Sequence, residues 1–355
     1  EIAPHATTRV LGEDEYVWRL QTTLGVDMDS DALIELGHAT LDSLRDELMV
    51  TAAVVSGGAI ASVEDALALV MREKDKRGLA ARDGDVIAGY RSILERAQRH
   101  MKDKALFHVA DELDALALLP PPPAFAELGS VTNVAAPLFD TSGRACFLIQ
   151  PKAALHPHIQ AVLLAIHEGL PGHSLQSIWW QQRFAEDPAP VRFLLVSDGS
   201  AACADWWPQM LNIEGWATYS EELMRTAGFY EGRDAAHLFA LMCKAVRAVR
   251  VVVDVSIHTR TMTDEAGAAF FADQTSFGAD RARTEVVRYR RIPGQAITYL
   301  LGRLQIEELA ARWRAQAPPG TPISQFHDAL FAAGPVPPAL LGDRLGDRLG
   351  PRIGD

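Results

Sequence analysis

The chain has 355 residues, 48% apolar and 23% charged, the balance of a globular protein with material for a sizeable core. Its 46 acidic residues against 34 Lys plus Arg leave a formal net charge of −12, which excludes the basic footprint of a nucleic-acid binder. No apolar run approaches the roughly 18 residues of a membrane-spanning helix, so no span is expected.

From the N-terminus, residues 13–119 read as helices. "DSDALIELGHATLDSLRDELMV" offers Asp29 or Ser30 as N-cap, with apolar residues near helical spacing. "SVEDALALVMREKDK" repeats the signal with Ser62 three residues before Asp65, close to a capping box, and "GDVIAGYRSILERAQRHM" is a third candidate. None of them gathers ligand-type residues, and the segment reads as scaffold. Pro120 to Pro123 then break the pattern into an extended linker.

"SVTNVAAPLFDTSGRACFLIQP" places turn residues between two short apolar runs, which predicts a hairpin over 131–150, with Pro137 confining its first strand to an edge or a bulge. It is the only β signal in the reading. Helical patterns return in "LHPHIQAVLLAIHEGL", "RDAAHLFALMCKAVRAVRVVVDVSIHTRTM", "DRARTEVVRYRRI", "GQAITYLLGRLQIEELAARWRAQ" and "PISQFHDALFAAG". The tail "LGDRLGDRLGPRIGD" is Gly-rich and charged, a surface tail. The expected architecture is mainly α with one small β element. Residues 1–119 form a scaffold, 120–340 a metal-binding catalytic region continuous with it, and 341–355 the tail. Cys146, Cys203 and Cys243 are too widely spaced for a disulfide framework or thiolate cluster and read as small buried side chains. The chain begins at Glu1 rather than Met, which is compatible with a targeting segment removed upstream. Compartment, cytoplasmic or exported, and oligomeric state stay open.

The stretch "AIHEGLPGHSLQ" carries the chemistry. In the helical H-E-x-x-H motif two histidines four apart share a face and bind zinc. Here His167 and His173 are six apart, a rotation of about 600°, or 240° net, on an unbroken helix. Pro171 cannot donate to the carbonyl of His167, and Gly172 tolerates backbone angles that other residues resist. The helix is expected to break near Leu170 and a second to start at Pro171, a favoured first helical position, so that both imidazoles converge. Glu168 then stands beside the first ligand as general base toward water. In "LNIEGWATYSEELM" a third ligand is sought. Glu214 sits in an apolar setting beside the small Gly215 and calls for a cation or a donor, while Glu221 and Glu222 lie roughly on the same face in what reads as a solvated turn.

Together "HEGLPGHSLQ" and "EGWATYSEEL" resemble the bacterial family called domain of unknown function 885. The likeness continues through "RAVRVVVDVSIHTRTMTDEAGAAFF", "EVVRYRRIPGQAITYLLG" and "FHDALFAAGPVPPALL", strong over the C-terminal two-thirds and weaker before it. The chain departs from the family at "DVSIH", where a threonine and a glycine are expected before "IH". The resemblance implies a zinc-peptidase-like, gluzincin-like helical domain with its β element beside the metal. It makes His167, His173 and Glu214 the ligands of one Zn2+ per chain and Glu168 the base.

Around this core, Arg250, Asp254 and His258 recur at steps of four in a very apolar helix. His258 reads as an oxyanion donor and Asp254 as an orienting group, against the alternative of a solvated i,i+4 pair. In "RYRRIPGQAITY", Tyr289 is a second oxyanion candidate, and Arg288 and Gln295 are substrate-side groups; alternatively Tyr289 packs in the core and Arg288 pairs with Glu285. Trp179, Trp180, Trp206, Trp207 and Trp216 are expected to pack around the motif helices, and an edge strand of the hairpin could pair with an extended substrate. The function expected is a zinc hydrolase of peptide bonds. The rivals are an amidohydrolase of small molecules with the same ligands and a non-catalytic, metal-stabilised helical protein.

Overall fold

A computed structural model describes residues 10–108, 112–123, 129–137, 143–186 and 209–341. Helices α1 (Glu13–Thr22), α2 (Ser30–Ser56), α3 (Val63–Lys76) and α4 (Val86–Asp103) precede the single turn α5 (Glu112–Ala115). Strands β1 (Leu116–Leu119), β2 (Val131–Val134) and β3 (Ala145–Ile149) follow, then α6 (His158–Leu164), a π-helical turn over Ala165–Gly169 and α7 (His173–Glu186). Next come α8 (Met210–Thr226), α9 (Asp234–His258), α10 (Asp264–Thr275), α11 (Ala279–Arg291), α12 (Thr298–Gln316) and α13 (Ser324–Ala332). The protein is mainly helical with a small sheet.

The caps follow their chemistry. Asp29, not Ser30, caps α2 by accepting from the Ala32 amide, and Ser62 caps α3 by accepting from the Asp65 amide. The helix α9 is buried on nearly every side, as expected of a helix apolar all round, and it forms the axis on which α2 and α10 pack. Leu44, Leu48, Tyr90 and Leu94 of the N-terminal helices share one apolar cluster with Ile166, Leu170, Trp216 and Leu241. Each such leucine contributes about 1.5–3 kcal/mol on burial. The scaffold helices and the motif segments therefore stand on a common core.

Three sequence expectations are corrected here. Leu116–Leu119, read as the end of a helical region, is strand β1, which pairs parallel with β3. A four-residue apolar run ahead of a proline block carries no periodicity to tell strand from helix, and the partner strand decides it. The predicted hairpin is present as antiparallel β2 and β3, but β3 is the centre of a three-stranded sheet ordered β1-β3-β2, leaving β2 at an edge. The helix after the break begins at His173, not Pro171. Cys146 and Cys243 are free and half-buried, whereas Cys203, Trp206, Trp207 and the tail from 342 onward lie outside the described residues. Among the described residues no helix is long and apolar enough to cross a membrane.

Candidate metal centre

The break between the two histidines is built from main-chain contacts. With no N–H on Pro171, the chain leaves α6 through the wider π turn: the Leu170 amide donates to Ala165 and the Gly172 amide to Ile166 (2.9 Å). Gly172 does not sit at positive φ, so its requirement is space. A Cβ there would lie 1.8 Å from the carbonyl oxygen of His167. Trp216, fully buried on α8, donates its indole N–H to the Pro171 carbonyl (2.9 Å), which ties the turn to the helix that carries Glu214. On the other side, Ser174 Oγ donates to the Glu168 carbonyl (2.7 Å), and Asn133 of β2 donates to that carbonyl (3.1 Å) and to Ser174 (2.7 Å). The turn is thus clamped from α7, α8 and the sheet edge.

These clamps bring three ligand-type side chains together. His167, His173 and Glu214 offer ligand atoms that all lie within 4.8 Å of one another. Glu214 Oε2 stands 3.5 Å from Nε2 of each histidine, and the two rings meet edge to face at 4.9 Å. That oxygen is buried and receives no directed hydrogen bond among the described residues. Two ligands about 2 Å from a tetrahedral zinc are roughly 3.3 Å apart, so the donor set and the two Glu214–imidazole spacings of 3.5 Å fit a zinc ion. His167 turns its other nitrogen, Nδ1, to Glu221 (2.6 Å), and Glu221 accepts in turn from Arg247 (2.5 Å). A carboxylate on the far side of a ligating imidazole fixes its tautomer and orientation.

The charges follow from this packing. Burial opposes a proton on His167, but Glu214 and the hydrogen-bonded Glu221 outweigh it and raise its pKa to about 10. Against its own burial, Glu214 is held well below the usual carboxylate range by the two imidazoles. A metal must displace the His167 proton, while Glu214 is already ionised. Apparent affinity therefore rises about tenfold per pH unit below pH 10. Zinc uptake is expected to strengthen about a hundredfold between pH 6 and pH 8, measured by chelator competition corrected for the chelator's own titration. A flat profile would contradict the raised pKa of His167.

The remaining sequence-predicted residues divide. Glu168 lies in the π turn, half-buried, near enough to favour the charged form of His167 and to disfavour ionisation of the buried Tyr90. Glu221, read as solvated, is buried and serves His167, because α9 covers that face with Arg247. Glu222 points to Arg225 (2.7 Å) and Lys244 (3.2 Å). Asp254 and His258 are fully buried in a separate cluster, not a solvated pair: Asp254 accepts from the Tyr16 hydroxyl (2.7 Å) and the Gly294 amide (3.0 Å), and His258 Nε2 meets the Tyr289 carbonyl (3.1 Å). Tyr289 is 1% exposed and donates to Glu285 (2.9 Å). None of these three is brought to the His–His–Glu cluster by a contact.

Tyr299, passed over in the same motif, is. Its ring stacks on His167 with centroids 6.3 Å apart, and Arg250 lies over it at 4.8 Å. Burial and the nearby Glu214 raise its pKa to about 12, so the phenol stays neutral. Gln295 Nε2 donates to the Tyr299 oxygen (3.1 Å), while Gln295 Oε1 accepts from Arg288 (2.7 Å). Its distance from the ligands is set by main chain: Gly215, next to Glu214, and Gly302, three residues past Tyr299, touch where α8 crosses α12. A Cβ on Gly302 would lie 2.0 Å from the Leu211 carbonyl oxygen.

A mainly helical fold enclosing a His–His–Glu cluster of metal-ligand type, buried but for the half-buried His173, defines the class of protein. Within it, the chain belongs to the family described as "Bacterial protein of unknown function (DUF885)", whose model matches residues 1–345. The fold is similar to that in "The crystal structure of the putative lipoprotein from Colwellia psychrerythraea" (22% identity, TM-score 0.75), covering 96% of this chain and 57% of that one. It is also similar to "a putative lipoprotein of unknown function" from Shewanella oneidensis (18% identity, TM-score 0.77), covering 95% of this chain and 60% of that one. The chain thus spans less than two-thirds of the length of either. Comparison with curated proteins gives no match.

Proposed function

We propose that the protein is a zinc-dependent hydrolase of peptide or related amide bonds, with a gluzincin-like arrangement of two histidines and a glutamate. The observation that carries this reading is the convergence of His167 Nε2, His173 Nε2 and Glu214 Oε2, which receives no directed hydrogen bond among the described residues, with Glu221 orienting the first histidine. A metal held there supplies Lewis acidity and lowers the pKa of water.

The chain's own groups do the rest. Glu168, not among the ligands, takes a proton from the attacking water and returns it to the leaving amine. Hydroxide adds to the carbonyl carbon to give a tetrahedral oxyanion, whose collapse breaks the C–N bond as the amine is protonated, giving a carboxylic acid and an amine. The Tyr299 hydroxyl accepts from Gln295, which leaves its own proton for the oxyanion; this role passes to it from His258 and Tyr289. The outer edge of β2, anchored to the Glu168 carbonyl through Asn133, offers main-chain groups to an extended substrate.

The test is metal content by elemental analysis of wild type and His173→Ala purified identically, alongside release of amines from a peptide library. About one zinc per wild-type chain, a content reduced at least tenfold in the mutant, and zinc-dependent cleavage are expected. A well-folded wild type that takes up no zinc would end this reading. Zinc-loaded protein without cleavage would favour a metal-stabilised helical protein.

A further inference from the structure

Beyond the ligands lies a concentration of arginine with too few acids to match it. Arg281 (2.6 Å), Arg288 (2.9 Å) and Arg250 (3.4 Å) all turn to one carboxylate, Glu285, which also accepts from Tyr289. A carboxylate offers about four lone-pair sites, and the contact at 3.4 Å is no directed bond: Arg250 Nε is buried and has no acceptor among the described residues. Asp254, the other acid near Arg288, is fully buried and already accepts from Tyr16 and Gly294. In a chain of net charge −12, three guanidinium groups gather on one carboxylate, and the further acid acting on Arg250, Glu214, is the one assigned to the metal, which leaves a local positive surplus.

This surplus reaches the His–His–Glu cluster through Tyr299, which stacks on His167. Arg250 covers the Tyr299 ring, and Arg288 reaches Tyr299 through Gln295 in two hydrogen bonds. The Arg288 side chain is 29% exposed, whereas Glu285 behind it is 2% exposed. Gln295, Tyr299, His173 and Glu168 are likewise half-buried among buried neighbours. Arg288 spends its Nη1 donor on a neutral amide oxygen, an arrangement open to a stronger acceptor.

We propose that Arg288, supported by Arg250 and Gln295, receives a carboxylate of the substrate. The substrate class is then short peptides or N-acyl amino acids whose free C-terminal carboxylate lies one or two residues from the scissile amide. One or two extended residues span about 3.5 to 7 Å, the scale of the two hydrogen bonds, 3.1 and 2.7 Å, that separate Arg288 from Tyr299. The inference rests on the metal-hydrolase reading. It makes the protein an exopeptidase working from the C-terminal side. Arg288 determines specificity and Arg250 is a positioning residue for Tyr299.

The test uses succinic monohydroxamate, which offers a metal-binding group and a free carboxylate, and its N-methylamide, which lacks the charge. Both are titrated calorimetrically into the zinc-loaded full chain, wild type and Arg288→Gln, with zinc content measured on each. The acid is expected to bind wild type about 10- to 100-fold more tightly than the amide, the range for a hydrogen bond to a charged group. Arg288→Gln is expected to reduce that preference to below about threefold with zinc unchanged. Equal binding of acid and amide to wild type, or no binding of either to zinc-loaded protein, overturns the proposal without any mutant. A preference that survives in Arg288→Gln overturns the assignment to Arg288. Failure of wild type to take up zinc is a distinct result, which removes the metal-hydrolase reading underneath.

Discussion

Glu168→Gln is expected to retain about one zinc per chain and to lose roughly 10²- to 10⁴-fold in turnover, the usual contribution of a positioned acid–base group. The substitution keeps size and shape and removes only the capacity to take a proton. The backbone at this position is held independently of the side chain, by Ser174 and Asn133 on the carbonyl. None of the three ligand-type residues is altered. Elemental analysis, a thermal melt and steady-state kinetics on one cleaved peptide separate the possibilities. Lost zinc would make Glu168 a ligand or a structural residue, and full turnover would move the base elsewhere.

Gly172→Ala is the second large effect. The added methyl would meet His167 O at 1.8 Å and, at 2.5 Å, His167 C and Ile166 O, all main-chain atoms without a rotamer to yield. Trp216 also holds the turn through the Pro171 carbonyl, which opposes a shift of the loop. A loss of more than about 4 kcal/mol in chemical denaturation is expected, in the range that marks a broken special site. Zinc retention should fall with it, because His173 starts the helix that would shift. Gly58→Ala is the control: a Cβ there meets nothing within 4 Å, and no change in the midpoint is expected. Equal stability of the two variants would refute the close-packed turn.

Much of this was legible in the linear chain, for identifiable reasons. Caps at Asp29 and Ser62 are local chemistry, and the family motifs are local strings; the resemblance they gave is matched by the family model over residues 1–345, including the helical N-terminal part. The sequence points to Gly172 for its backbone angles, whereas the demand is room beside the His167 carbonyl. What was not legible depends on partners distant in sequence. Glu221 in "SEEL" reads as surface because its burial is decided by α9 and its partner Arg247 lies 26 positions on. Tyr289 and Tyr299 share one motif, and the turn at Pro293–Gly294 before α12 sends them to different neighbours. Asn133 in a short edge strand gives no sign that it will hold a carbonyl 35 residues later.

The crossing of α8 and α12 at Gly215 and Gly302 sets one dimension of the site by main chain alone. Glu214 and Tyr299 flank that crossing, and no side chain stands between the two backbones there to be enlarged, trimmed or re-rotamered. Substitutions accumulating elsewhere in the interior can change its volume while the gap between the acid and the phenol stays the same. The gap is a gauge block held by two absent side chains, and a change of side chain elsewhere in the interior leaves it at the same width.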